Sequence, residues 1–97
     1  MTNIKSFNVM YDSTADVLYI STRNEAATKG IEDQYGIVWR YAKDGELIGA
    51  TVLDFQESWS NKQSDLARQI SANFEIPKHR ADIVIEHAFD DLVQKRG

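Results

Sequence analysis

The stretch VMYDSTADVLYIST, Val9 to Thr22, decides how the rest of the chain is read. Two apolar runs flank a polar gap that holds Asp12 and Asp16. In the first run Phe7, Val9 and Tyr11 alternate with Asn8 and Met10, the period-2 pattern of a strand. The second, Val17 to Thr22, is rich in β-branched and aromatic residues, which suit a pleated surface. Two such runs across a short gap make a hairpin, and the aspartates punctuate it. Asp12 can accept from the backbone N–H two residues on, forming an Asx turn, and Asp16 can do the same at the entry to the second strand. A hard cation wants about six oxygen ligands. The gap offers Asp12, Ser13, Thr14 and Asp16 without the glycine-bearing spacing of a calcium loop. Paired catalytic carboxylates lie across a cleft, not inside one tight turn. Turn chemistry is therefore the reading of both aspartates, with no metal ligand and no catalytic group assigned.

Working outward, Gly36 precedes IVWRYA, residues 37–42, and the tight-turn signal KDG, Lys43 to Gly45, leads into ELIGATVLDF. Arg23 to Tyr35 is polar with one glycine and reads as a loop, with at most a helical turn over Glu25 to Lys29. Four strands with short connections predict an antiparallel meander. The period then changes. Leu66, Ile70 and Phe74 are spaced by four with Ala67 beside them, and Ser60 or Asn61 is placed to cap that helix. Pro77 forces Ile76 to be extended and ends it. Ala81, Val84, Ile85, Ala88, Phe89 and Leu92 then share one face of a second helix of about 14–17 residues. The expected fold is α+β: a four-stranded antiparallel sheet followed by two C-terminal helices packed on one face. It forms a single domain over 1–97, with a sheet part at 1–57 and a helical part at 60–97.

Both faces of most strands are apolar. Leu18 and Ile20 oppose Val17 and Tyr19, while Val38 opposes Ile37, Trp39 and Tyr41. Two helices cover one face, so the other needs a partner, and Tyr19, Trp39 and Tyr41 are its candidate interface residues. A chain of 97 residues buries only about 60–70% of its unfolded surface, so gaining core from a second copy is the expectation: a homodimer.

The chain has no cysteine, which removes disulfides, thiolate metal sites and thiol nucleophiles and fits a reducing compartment. MTNIKSFNVMYD has no apolar core behind a basic start, so no signal peptide is read and a cytoplasmic location is expected. No run approaches the roughly 18 apolar residues of a membrane span. The formal charge is −4. Residues 1–61 hold five Lys/Arg against nine Asp/Glu, whereas the two later segments, 62–76 and 77–97, are each balanced. The acidic excess therefore lies with the strands, where it would attract a basic partner and disfavours general nucleic-acid binding.

YDSTADVLYI, Tyr11 to Ile20, resembles the opening motif of a family of small, mostly bacterial proteins known as domain of unknown function 2283. That motif is a Tyr-Asp pair, a short gap, an aspartate, then Leu-Tyr-Ile. DGELIGATVLDF, Asp44 to Phe55, is similar to the family's second segment of Asp-Gly, Leu, Gly and Leu-Asp. The resemblance covers residues 7 to 55. It departs at Trp39, Arg40 and Tyr41, where members commonly carry a run of acids, and in the C-terminal helical part that short members lack. It implies a compact antiparallel sheet with helix packed on it. From some relatives it also implies an antitoxin-like role, binding a small toxin-like protein.

Two other functional classes have carriers in the sequence. His79, Asp82, Glu86 and Asp90 fall three and four apart on the second helix, a spacing open to a divalent metal and hence a small metal-dependent enzyme. The same spacing describes a solvated face, on which Lys78 pairs with Asp82. DLARQISANFEIPKHRADIVIE reads as helix, break, helix, and would put Lys78, His79 and Arg80 at the start of a DNA-recognition helix. The break lacks the usual glycine and its surroundings are not basic. There is no His-Glu-x-x-His, no phosphate loop and no nucleophile elbow. The expectation is a non-enzymatic protein-interaction module without a cofactor.

Overall fold

The hairpin forms with Val9 opposite Ile20 and Asp12 opposite Val17. The computed structural model describes residues 7–23 and 25–96, with side chains as far as Asp90. The elements are β1 (Asn8–Asp12), β2 (Val17–Ser21), β3 (Lys29–Glu32), β4 (Ile37–Tyr41), β5 (Leu47–Leu53), α1 (Phe55–Trp59), α2 (Gln63–Phe74) and α3 (Lys78–Arg96).

The sheet has five strands, not four, in the order β1-β2-β5-β4-β3, so it is not a pure meander. The chain leaves β2, crosses to the far edge to make β3, and returns through two hairpins so that β5 slots in antiparallel beside β2. Both return turns end on a glycine in the left-handed region, Gly36 at φ 82° and Gly45 at φ 89°, which costs a glycine little. β5 is central because Ile48 to Val52 are all buried, and a strand buried on both faces needs a neighbour on each side. β3, expected as loop, is an edge strand with all four residues exposed, so its sequence carries no alternation to read.

The helical part also differs from expectation. A short helix, α1, precedes the two long ones. Neither Ser60 nor Asn61 caps α2: its N-cap is Lys62, with no side-chain cap bond, and the Ser60 carbonyl instead accepts from Gln63 Nε2 at 3.3 Å. α2 stops at Phe74, with Glu75 at φ 57° donating its N–H to the Ser71 carbonyl. Pro77 follows, and α3 starts at once and runs for 19 residues. Ala81, Val84, Ile85 and Ala88 of its stripe are buried, and Phe89 packs at the edge of the same core. The Leu92 side chain lies outside the described residues.

One buried cluster joins the inner face of the sheet to the helices. Leu18, Ile20, Ile37 and Val52 meet Leu66, Ile70, Phe74 and Ile85. Aromatic contacts tie the layers together: Trp39 lies 6.1 Å from Phe74, Tyr11 5.7 Å from Phe55, and Phe55 4.4 Å from Phe89. Truncating Phe89 leaves a hole beside Phe55. Phe89→Ala is expected to cost about 2–4 kcal/mol in urea unfolding, below the cost at a fully enclosed phenylalanine. His87→Ala, on the exposed side of the same helix, should change stability by less than about 0.5 kcal/mol. Equal losses would mean that Phe89 is not packed on the core.

Candidate functional site

Cross-strand register sorts the strand residues into two faces. Val9, Ile20, Ala50, Trp39 and Ile31 form one row across all five strands, and Met10, Tyr19, Thr51, Val38 and Glu32 form the next. Neighbouring rows point to opposite faces. The first belongs to the inner face. The second, with Val17 and Leu53, belongs to the outer face, and none of Met10, Val17, Tyr19, Val38 or Leu53 joins the buried cluster. Met10 is 61% exposed and Tyr19 37%.

The three candidate interface residues therefore do not share a face. Trp39 points inward: it is 5% exposed, and its Nε1 donates to Asp33 Oδ2 at 2.9 Å. Ala50 stands beside it in the register, and so small a side chain leaves room for an indole. Tyr41 follows an irregularity in the β4–β5 register and is half-buried against the core. Tyr19 alone of the three faces outward. Alternation within a strand separates the two sets of side chains but does not say which set of one strand goes with which set of the next.

The centre of the outer face is built from Arg40, Gly49 and Thr51. Arg40 Nε donates to Thr51 Oγ1 at 2.7 Å, so the long side chain lies across β5. A Cβ at Gly49 would stand 3.0 Å from the Ile20 carbonyl oxygen, so a larger residue there would press on the β2 backbone. Beside it, Tyr19, Ser21, Arg23, Arg40, Gly49 and Thr51 line a shallow groove of about 140 Å³. Arg23 closes the end of the groove. It donates to Glu46 at 2.8 Å, to Glu25, and to Asp44 at 3.4 Å. The bond that Arg23 donates to Glu46, then that to Glu25, raises the Arg23 pKa above its ordinary value. The backbone N–H of Glu46, and then Arg23, hold Asp44 below its own. One guanidinium against three carboxylates leaves this end of the face acidic. All four side chains are exposed enough for salt to screen them.

The two aspartates of the hairpin have different tasks. Asp12 Oδ1 accepts from the N–H of Thr14 at 3.0 Å and of Ala15 at 3.4 Å, a local turn. Asp16 does not close a local turn. Its backbone is left-handed, at φ 56°, and its carboxylate reaches 40 residues along the chain. Oδ1 accepts from Gln56 N at 2.8 Å and from the Tyr11 hydroxyl at 2.7 Å, and Oδ2 accepts from Glu57 N at 3.2 Å. The Asp16 carbonyl also accepts from Phe55 N. Asp16 thus supplies the cap for α1 that Asp54 does not. Burial pushes the Asp16 pKa up, but the bonds from Tyr11, Gln56 and Glu57 together outweigh it and leave it below the ordinary value. Nothing in the local sequence signals this, because the donors lie across the fold.

Asp54 and Glu57 place carboxylate oxygens within 4.8 Å of Asp16, and this is the only metal-sized grouping among the described residues. The oxygens of Asp16 already accept from three donors, so the group works as a helix cap. His79, Asp82, Glu86 and Asp90 are not brought together in this way. Lys78 Nζ pairs with Asp82 at 3.0 Å and reaches Ser64 at 3.2 Å, which turns the start of α3 toward its own neighbours. No described helix is long and apolar enough to cross a membrane.

No curated protein and no solved structure matches this chain. A family model described as protein of unknown function, DUF2283, matches residues 8–56. The matched segment runs from the start of β1 into α1, and so holds the whole sheet, both hairpin aspartates and the cap that Asp16 gives Gln56. It makes up just over half of the 97 residues, and the chain belongs to the DUF2283 family of proteins of unknown function.

Proposed function

We propose that this protein is a non-enzymatic interaction module that works as a homodimer and holds a small, basic, toxin-like protein on the outer face of its sheet. The observation that supports the partner surface is the apolar row that the helices leave uncovered: Met10, Tyr19 and Val38, flanked by Val17 and Leu53. Apolar side chains grouped on one uncovered face, here on either side of Thr51 and Arg40, mark interaction sites. Tyrosine suits such a surface because its ring is apolar and its tip polar. Carboxylates ring the row, with Asp12 and Glu32 at the sheet edges and Glu25, Asp44 and Glu46 beyond the groove. Apolar side chains on either side of the central Arg40, within an acidic rim, suit a partner that carries both apolar and basic groups, steered in by charge and held by burial.

The test is affinity capture from the native host with three baits: wild type, Tyr19→Glu and Ile83→Glu. Ile83 is 49% exposed on α3, away from the sheet. A central interface residue is worth about 2 kcal/mol or more, roughly thirtyfold in affinity. A basic protein captured by wild type and Ile83→Glu but lost with Tyr19→Glu is the expected result. The same protein captured equally by folded Tyr19→Glu would remove the outer face from consideration.

A further inference from the structure

β3 is the open edge of the sheet, and all four of its residues, Lys29 to Glu32, are exposed. Asp33 donates its N–H to the Ile37 carbonyl at 2.9 Å. Bonded pairs in an antiparallel ladder recur at every second residue. The backbones of Ile31 and Lys29 therefore turn toward β4, while those of Gly30 and Glu32 turn outward, where the described residues supply no further strand. Edges are normally protected by proline, by bulges or by charge. This one has charge only at its ends, and Ile31 between them is 45% exposed. On the inner face the edge opens into a hollow of about 400 Å³ lined by Ile31, Tyr41, Lys29 and Lys43.

We infer that a second copy of this chain pairs with β3 edge to edge, antiparallel about a two-fold axis through Ile31, to make one ten-stranded sheet. A two-fold axis normal to the sheet keeps the helices of both copies on one side, so inner-face residues must meet inner-face residues. Every register centred on a β3 residue satisfies this and also brings the outward backbone groups together, but centres at Lys29 and Glu32 set two like charges opposite each other, which leaves two. One centred on Gly30 sets Ile31 against the partner's Lys29 and Glu32 against the partner's Thr28, and makes no ion pair. The other, centred on Ile31, bonds Gly30 to the partner's Glu32 twice over by symmetry, four N–H···O bonds in all. It sets Ile31 against the partner's Ile31 and Lys29 against the partner's Asp33. Lys29 makes no ion pair among the described residues. Asp33 is held in place by the bonds it accepts from Tyr35 N, Ile37 N and Trp39 Nε1. Charge complementarity thus selects the Ile31 register. A contact built on four-residue strands is smaller than a standard interface, so its dissociation constant should be about micromolar. This inference rests on the reading of the protein as a homodimer and supplies the surface through which the copies meet, leaving both outer faces open.

Two variants test it, with light scattering at tens of micromolar for oligomeric state. Glu32→Pro deletes an outward N–H that the monomer does not use, and proline is tolerated at such an edge position. It should keep the far-ultraviolet spectrum of wild type and scatter as a monomer. Ile31→Cys introduces the only thiol in the chain. Facing residues in a non-bonded antiparallel pair lie about 4.5 Å apart at Cα, within disulfide reach. Under mild oxidation Ile31→Cys should cross-link nearly completely, whereas Ile83→Cys on α3 should not. A dimeric wild type with Ile31→Cys uncross-linked and Glu32→Pro still dimeric would overturn the edge and leave the homodimer standing. A monomeric wild type would overturn both.

Discussion

A Trp39→Glu chain is expected to be unfolded at room temperature. The indole is 5% exposed, lies 6.1 Å from the Phe74 ring and donates to Asp33. Losing so large a core side chain costs about 3–5 kcal/mol. Burying a carboxylate in its place, beside the carboxylate of Asp33, costs several more. The sum approaches or exceeds the roughly 5–15 kcal/mol that holds a small domain together. Trp39→Phe keeps most of the ring and loses one hydrogen bond, so it should fold with a loss of about 1–3 kcal/mol. Tyr19→Glu, one row away on the opposite face, should fold with near-native stability. Amide dispersion in proton–nitrogen spectra separates these outcomes. In the wild type, iodide should barely quench fluorescence whatever the oligomeric state, because Trp59 is only 6% exposed as well. A folded Trp39→Glu with an unfolded Tyr19→Glu would mean that the two faces are exchanged.

The case of Trp39 marks where the sequence becomes insufficient. Alternation in β2 and β4 separates Leu18 and Ile20 from Tyr19, and Val38 from Trp39, without reference to any other strand. Joining the sets requires the register through β5, where Ala50 meets both Ile20 and Trp39. β5 is itself buried on both faces, so it has no alternation to transmit. β3 was illegible for the opposite reason: an edge strand with every residue exposed leaves no hydrophobic trace. The helices were legible because burial of Leu66, Ile70 and Phe74, and of Ala81, Val84, Ile85 and Ala88, depends on a period within a single element. The turn at Asp12 was legible because its partners are two and three residues away. The outer face and the β3 edge were not, since each exists only once the strand order is known.

Asp16→Ala is expected to be the most damaging polar substitution in the matched segment, with a loss of about 3–5 kcal/mol. Three donors, Tyr11 OH, Gln56 N and Glu57 N, lose one charged acceptor, and bonds to charged groups are each worth about 1.5–3 kcal/mol when buried and less where water competes. Alanine also pays about 1 kcal/mol for the left-handed backbone at this position. Asp16→Gly removes the carboxylate without that strain, so it should be about 1 kcal/mol more stable than Asp16→Ala, the reverse of the usual order of glycine and alanine. Asp16→Asn tolerates the same backbone and keeps one oxygen for Gln56 N, and should lose least. The wild type should also respond to acid through this residue. Its carboxyl is held below the ordinary value of 3.8 in the fold, so the unfolded chain takes up the proton more readily. The stabilisation is complete above that ordinary value and is lost as pH falls through the lower folded one. Urea midpoints measured from neutral pH downward should therefore drop more steeply at the acid end for wild type than for Asp16→Asn. Parallel curves, or Asp16→Gly no better than Asp16→Ala, would show that Asp16 neither caps α1 as a carboxylate nor needs its left-handed backbone.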